Sequence, residues 1–149
     1  MADLTFVQEI AAPAKVVGAF FVPHRMGAWY GAELDLQFEA QGGAVEFRNG
    51  LKVRLHGRFG KRKVSHTAVV TEFERGRVLE WQFQDAYGVR GLQRWEIEES
   101  GTGTRLRMRD RYEIPGGFGK LLDWVITRHA VARRDRHELA RLKRLVEHA

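Results

Sequence analysis

Hydrophobic and polar positions along this chain follow two periods. Between Gly91 and Ile114 they alternate, the mark of antiparallel strands. After Ile114-Pro-Gly-Gly they recur every three to four residues to the C-terminus, the mark of one long helix. Ahead of these, Leu4, Phe6 and Ile10 define a first strand, with Thr5 and Glu9 on its other face. Pro13 suits the first turn of a short helix over 15–22, because its missing N–H is unpaired there in any case, and Pro23 stops that helix. Residues 24–31 form a second short helix or turn. The segment 33–40 alternates again, with Leu34, Leu36 and Phe38 on one face; Gly42-Gly43 turns the chain and 44–48 is a short strand. Asn49-Gly50 is a hairpin signal, since both residues tolerate positive φ. The strand 52–59 turns Val53, Leu55 and Phe59 inward. The next, 63–74, turns Val69, Thr71 and Phe73 inward, which leaves His66, like His56 before it, on an outward phase. The strand 78–85 turns Leu79, Trp81 and Phe83 inward, and 86–90 is a loop.

The last hairpin turns at Ser100 to Gly103. Opposing Glu99 with Thr104 sets Glu98 against Arg105 and Glu96 against Arg107 on one face. The other face then pairs Ile97 with Leu106, Trp95 with Met108, and Gln93 with Asp110. Charge and hydrophobicity select the same register. No proline interrupts 117–147, a helix of ~30 residues and ~45 Å. At 100° per residue Phe118, Leu121, Val125, Ala132, Leu139 and Val146 share one stripe with His129 and Arg136. A helix of this length must be clasped by the sheet, an arrangement that tends to enclose a cavity.

The chain of 149 residues, 44% apolar and 11% aromatic, is expected to be one domain, 1–149, with a full core. The absence of cysteine excludes disulfides and thiolate metal sites. None of the six histidines forms a His-x-x-x-His pair, and no Gly-x-Gly-x-x-Gly or Walker loop is present, so neither a metal nor another cofactor is expected. The net charge of +6 raises the question of an anionic partner. Arg105, Arg107, Arg109 and Arg111 do line one strand face, but Glu96 and Glu98 offset them and no aromatics interleave to stack on bases. Nucleic acid is therefore not the expected partner. The first residues lack a signal peptide's basic and apolar regions, and no apolar run approaches the ~18 residues of a membrane span. A cytoplasmic protein, monomer or homodimer, is the expectation.

The order of elements, with Ile10-Ala-Ala-Pro-Ala-Lys-Val16 at the first junction, Trp29-Tyr30 closing the second helix, Gly103-Thr-Arg-Leu106 opening the last strand and Ile114-Pro-Gly-Gly-Phe-Gly-Lys-Leu-Leu122 entering the long helix, resembles the START/Bet v 1-like (SRPBCC) superfamily and its polyketide cyclase/dehydrase-like proteins. The resemblance covers essentially the whole chain. It implies an α+β helix-grip fold: a curved antiparallel sheet of seven or eight strands wrapped around a long C-terminal helix, with two short helices after the first strand. It does not select an activity, because the scaffold hosts lipid carriers, hormone and coenzyme-Q binders, cyclases and oxygenase domains. The chain is shorter than lipid-transfer domains of that superfamily, and it lacks the oxygenases' His/His/carboxylate iron triad.

Aromatic walls with a few aimed polar groups are what small-ligand pockets look like. Trp29, Phe59, Trp81, Phe83, Trp95, Met108 and Tyr112 are the wall candidates; taken singly each reads better as an ordinary core residue, and it is as a set that they point to a pocket. Gln93, Asp110 and His129 are the orienting groups. Asp110 lies among inward apolar residues, where an unpaired carboxylate is costly. Gln93, His129 or an arginine of the long helix can partner it, either as a structural link or as an acid/base. Asp85 reads as a solvated strand end, and His24 as exposed or at the cavity mouth. The function expected is binding of an apolar, aromatic or lipid-like molecule between sheet and helix. The alternatives are a cyclase, hydratase or isomerase using Asp110 or His129, and an interaction module with a basic surface.

Overall fold

The computed structural model describes residues 2–31, 36–59, 62–85, 88–114 and 127–149. Seven strands run in chain order: β1 (Ala2–Ile10), β2 (Gln37–Ala40), β3 (Lys52–Phe59), β4 (Arg62–Glu74), β5 (Val78–Asp85), β6 (Arg90–Ser100) and β7 (Gly103–Glu113). They form one antiparallel sheet in the order β1-β7-β6-β5-β4-β3-β2, so the first strand pairs with the last and every other pairing is between neighbours in sequence. Two short helices, α1 (Ala14–Gly18) and α2 (Pro23–Met26), follow β1, and α3 (Arg128–Glu147) packs back against it. This is the helix-grip arrangement. The part of the expected long helix before residue 127 lies outside the described residues.

The hairpin register is the one that charge and hydrophobicity select: Glu98 opposes Arg105, Trp95 opposes Met108, and Gln93 opposes Asp110. Pro23 does not stop a helix but opens α2 in its first turn, where a missing N–H is harmless. α1 ends earlier, at Gly18, which packs so closely on Gly76 that a Cβ there would stand 2.7 Å from the Gly76 Cα. The expected strand 44–48 is not a strand. After a 3-10 turn at Gln41–Gly43 the chain buries Phe47 against Phe73 and Trp81, with ring centroids 5.8 and 6.1 Å away. Asn49-Gly50 still turns the chain, and the Asn49 Oδ1 accepts the Phe73 N–H at 2.8 Å.

β4 differs in phase from its alternation. Its pairing with β5 slips between Val70 and Glu72, a bulge that inserts one residue. Ala68 and Val70 are buried, Val69 and Thr71 are exposed, and Phe73 returns to the core side. Counting back from Phe73 by twos therefore reverses everything before the bulge. His66 opposes the buried Leu55 across the β3–β4 ladder and so faces inward.

β6 carries a tight contact. A Cβ on Gly91 would collide with the Arg111 carbonyl of β7 and stand 2.8 Å from the Phe83 ring of β5. Gly91→Ala should lower unfolding free energy by about 1–3 kcal/mol in urea titration. A loss below about 0.5 kcal/mol would show that the ladder yields there.

Candidate functional site

The inner face of the sheet has two regions. In the first, Trp29, Trp81, Trp95 and Met108 are all within 1% of complete burial. Their rings meet edge to face: Trp95 lies 5.1 Å from Trp81, 6.0 Å from Trp29, 5.7 Å from Tyr30 and 6.3 Å from Phe21. Such edge-to-face contacts are favourable for aromatic quadrupoles. These residues fill space with one another.

The second region, beneath the N-terminal half of α3, is hollow. A cavity of about 250 Å³ is lined on its apolar side by Leu36, Phe83, Val89, Tyr112, Ile114 and Val131. Tyr30, His66, Gln93, Asp110, Arg134 and Glu138 supply its polar side. The structure thus brings Phe83, Gln93, Asp110 and Tyr112 of the expected set to one cavity and places the tryptophans and Met108 behind it. The Phe59 side chain lies outside those described. Asp85 also borders the cavity, and its Oδ1 accepts the Val89 N–H at 2.9 Å, closing the β5–β6 turn. His24 is exposed on α2.

His129 is the clear correction. It is exposed at the start of α3 and does not border the cavity, and Arg136 is exposed as well, its guanidinium 5.4 Å from the Phe6 ring. The buried face of α3 runs through Asp135, Glu138, Leu139, Leu142 and Val146. It is rotated by roughly 80° from the apolar stripe, at 100° per residue. Two carboxyls sit where hydrophobic periodicity admits only apolar side chains. The signal that finds this face is the spacing of Val131, Asp135, Glu138 and Leu142, four, three and four residues apart.

The polar side is built around Gln93. Its Oε1 accepts two hydrogen bonds, from the Tyr30 hydroxyl at 2.6 Å and from the Trp81 Nε1–H at 2.8 Å. Indole can only donate, so the pair fixes the amide with its NH2 toward Asp110, where Nε2 donates to Oδ2 at 3.4 Å. Burial raises the Tyr30 phenol far above its usual pKa, with the charges of Glu138, Asp110 and Asp135 adding to the effect, and so keeps it a neutral donor.

From the helix, Arg134 reaches toward three carboxyls. Its guanidinium lies 3.7 Å from Asp110, 3.6 Å from Asp135 and 3.7 Å from Glu138, all beyond hydrogen-bond distance. Burial opposes its charge, but the carboxyls outweigh burial and hold it protonated. Glu138 accepts the Gly31 N–H at 3.1 Å, joining α3 to the segment after α2.

Asp135 is completely buried within hydrogen-bonding reach of Asp110. Burial, then the Asp110 charge and the hydrogen bond to it, push the Asp135 carboxyl far above the ordinary range, only partly offset by Arg134. At neutral pH Asp135 therefore keeps its proton, which points to Asp110. His66 is neutral at pH 7, held down to about 4 by burial and by Arg134.

Among the described residues no group of three or more His, Cys, Asp and Glu side chains is disposed to hold a metal ion, and no helix is long and apolar enough to cross a membrane. The arginines of β7 are largely engaged on the outer face: Arg105 with Glu9 at 2.7 Å, and Arg109 with Asp3 at 2.8 Å.

A family model described as polyketide cyclase/dehydrase and lipid transport matches residues 1–147. Among curated proteins, none matches the sequence. Solved structures share the fold at low identity. A protein of Rhizobium leguminosarum is 16% identical, with a TM-score of 0.79 over 99% of this chain and 95% of that one. A protein of Arthrobacter aurescens is 18% identical, with a TM-score of 0.76 over 99% and 87%. DynU16, from the dynemicin biosynthetic locus, is 17% identical, with a TM-score of 0.66 over 97% of this chain and 47% of that one.

Proposed function

The chain belongs to the polyketide cyclase/dehydrase and lipid transport family, and on that premise we propose that it binds a small, largely apolar molecule in the cavity between sheet and C-terminal helix. One observation supports this reading most: a hollow of about 250 Å³ with a hydrophobic wall and a hydrogen-bonded polar end. That volume lies just under the ~300–1,000 Å³ of sites for drug-sized ligands. It suits one or two fused rings better than a long acyl chain. Burying ~200 Å² of such a ligand contributes about 5 kcal/mol before ordering costs are subtracted.

The test uses 2-methylnaphthalene as probe. NMR shift changes should cluster at Leu36, Phe83, Val89 and Val131. Val131→Trp, which places an indole in the hollow, should weaken binding at least about tenfold while the protein stays folded. Unchanged affinity in a folded Val131→Trp protein would remove the cavity from the reading. Native mass spectrometry of the purified protein would show any molecule it retains.

The acid pair supports a second reading, an enzyme of cyclase, hydratase or isomerase type. Here Asp110 moves a proton, with Asp135 as its reservoir and neutral His66 close to the same cavity. His129 has no part in it, and the Gln93 amide is already committed to Asp110. Proton transfer at carbon would leave deuterium in a retained molecule incubated in heavy water. No incorporation over hours would favour binding alone.

A further inference from the structure

Among the described residues three carboxyls, Asp110, Asp135 and Glu138, face a single guanidinium, Arg134, at the polar end of the cavity. Even with Asp135 protonated, two carboxyls, those of Asp110 and Glu138, face the one guanidinium that the described residues place there. Neutral His66 adds no positive charge at pH 7.

In hydrogen bonding, the Arg134 Nε–H is open among the described residues, and the open carboxyl oxygens outnumber it. Asp110 is 1% exposed and lines the cavity, yet among the described residues its one N–H donor is Gln93 at a long 3.4 Å. Its Oδ1 and both oxygens of Asp135 take no N–H or hydroxyl donor from the described residues. A single proton between the two acids cannot satisfy all of these acceptors, and a carboxylate accepts at about four positions. Buried acceptors left open in a native protein call for a specific partner. A carboxylate or phosphate on the ligand could take the open Arg134 Nε–H, but it would add negative charge where three carboxyls already face that guanidinium.

We infer that the cavity selects an aromatic or alicyclic ligand carrying a protonated amine, which donates to Asp110 while the ring lies against Phe83, Val89 and Val131. The inference rests on the cavity being a binding site, as proposed above.

The test compares matched probes at pH 7 on the intact protein: 2-naphthylmethylamine, 2-naphthylmethanol, 2-naphthoic acid and uncharged 2-methylnaphthalene, titrated by NMR or calorimetry. The amine should bind at least about tenfold tighter than the acid, with the alcohol between, because a charge-assisted bond to a buried carboxylate is a strong one. Asp110→Asn should bring amine and acid within about threefold of each other. The acid binding tightest would assign the anchor to Arg134 and overturn the amine. Equal affinities, or binding of methylnaphthalene alone, would overturn the amine but leave the cavity a binding site. No binding by any of the four would overturn both. A full amine preference in Asp110→Asn would also overturn the assignment. Should that variant fail to fold, the wild-type ranking decides, with Glu138→Gln expected to narrow the preference in the same direction.

Discussion

Asp135→Asn is expected to make the protein more stable at neutral pH, by on the order of 2–3 kcal/mol, although it alters one of the most buried polar side chains. In the unfolded chain the aspartate ionises near pH 3.9. In the folded protein burial, the Asp110 charge and the hydrogen bond to it keep Asp135 protonated far above that. The stability that goes with its raised pKa is complete in acid, below the unfolded value, and is lost as pH climbs toward the folded value. Asparagine keeps the shape and donates an N–H to Asp110 without taking up a proton. The variant's advantage should therefore be absent near pH 4 and grow through neutrality, at up to about 1.4 kcal/mol per pH unit. Urea melts at pH 4, 6 and 8 would show it. A variant less stable at pH 8 than at pH 4, relative to the parent, would mean that Asp135 is ionised in the fold and paired with Arg134. If ligand handling falls while stability rises, the acid is present for function, since stabilising a functional site commonly impairs its activity.

The second large effect belongs to Trp95→Ala. The indole is fully buried and touches the rings of Phe21, Trp29, Tyr30 and Trp81. Its removal should cost about 3–5 kcal/mol by lost transfer energy and residual cavity, enough to leave many domains of this size only marginally folded. Urea midpoint and tryptophan emission report it. Because Trp95 stands behind the hollow, Trp95→Phe should retain probe binding within about threefold, a small change in free energy. A loss of less than about 1 kcal/mol for the alanine variant would contradict the packing described.

The two substitutions mark where reading the chain succeeds and where it does not. The β6–β7 register was legible because cross-strand charge and apolar pairs agree on it, and Gln93 and Asp110 came with it. Two errors hid the rest of the polar end. The bulge after Val70 reverses the phase of β4, so His66 reads as outward although it faces Tyr30, with ring centroids 6.4 Å apart. On α3 the buried face includes Asp135 and Glu138, so a search for an apolar stripe turns the helix away from its own contacts and brings His129 inward. Both errors arise where the protein departs from local consistency, and such departures concentrate at functional or strained sites. Trp29, Trp81 and Trp95 point inward, as alternation and the short helices suggest. Whether they fill the core or line a hollow depends on side-chain volumes in three dimensions, which alternation does not encode.

The C-terminal half of α3 is pinned by main-chain bonds. Arg141 holds the Ala28 carbonyl at 2.7 Å, Lys143 holds the Glu9 carbonyl at 3.0 Å, and the Glu147 carboxylate takes the Ala11 N–H at 2.6 Å. Two of these three grip a partner's backbone carbonyl and the third a backbone amide, so the residues they hold can change identity without loosening the joint. Val131 and Arg134, which overlook the hollow, stand apart from that joint. Substitutions at Val131 and Arg134 can therefore reshape the walls of the hollow while these three anchoring bonds stay in place.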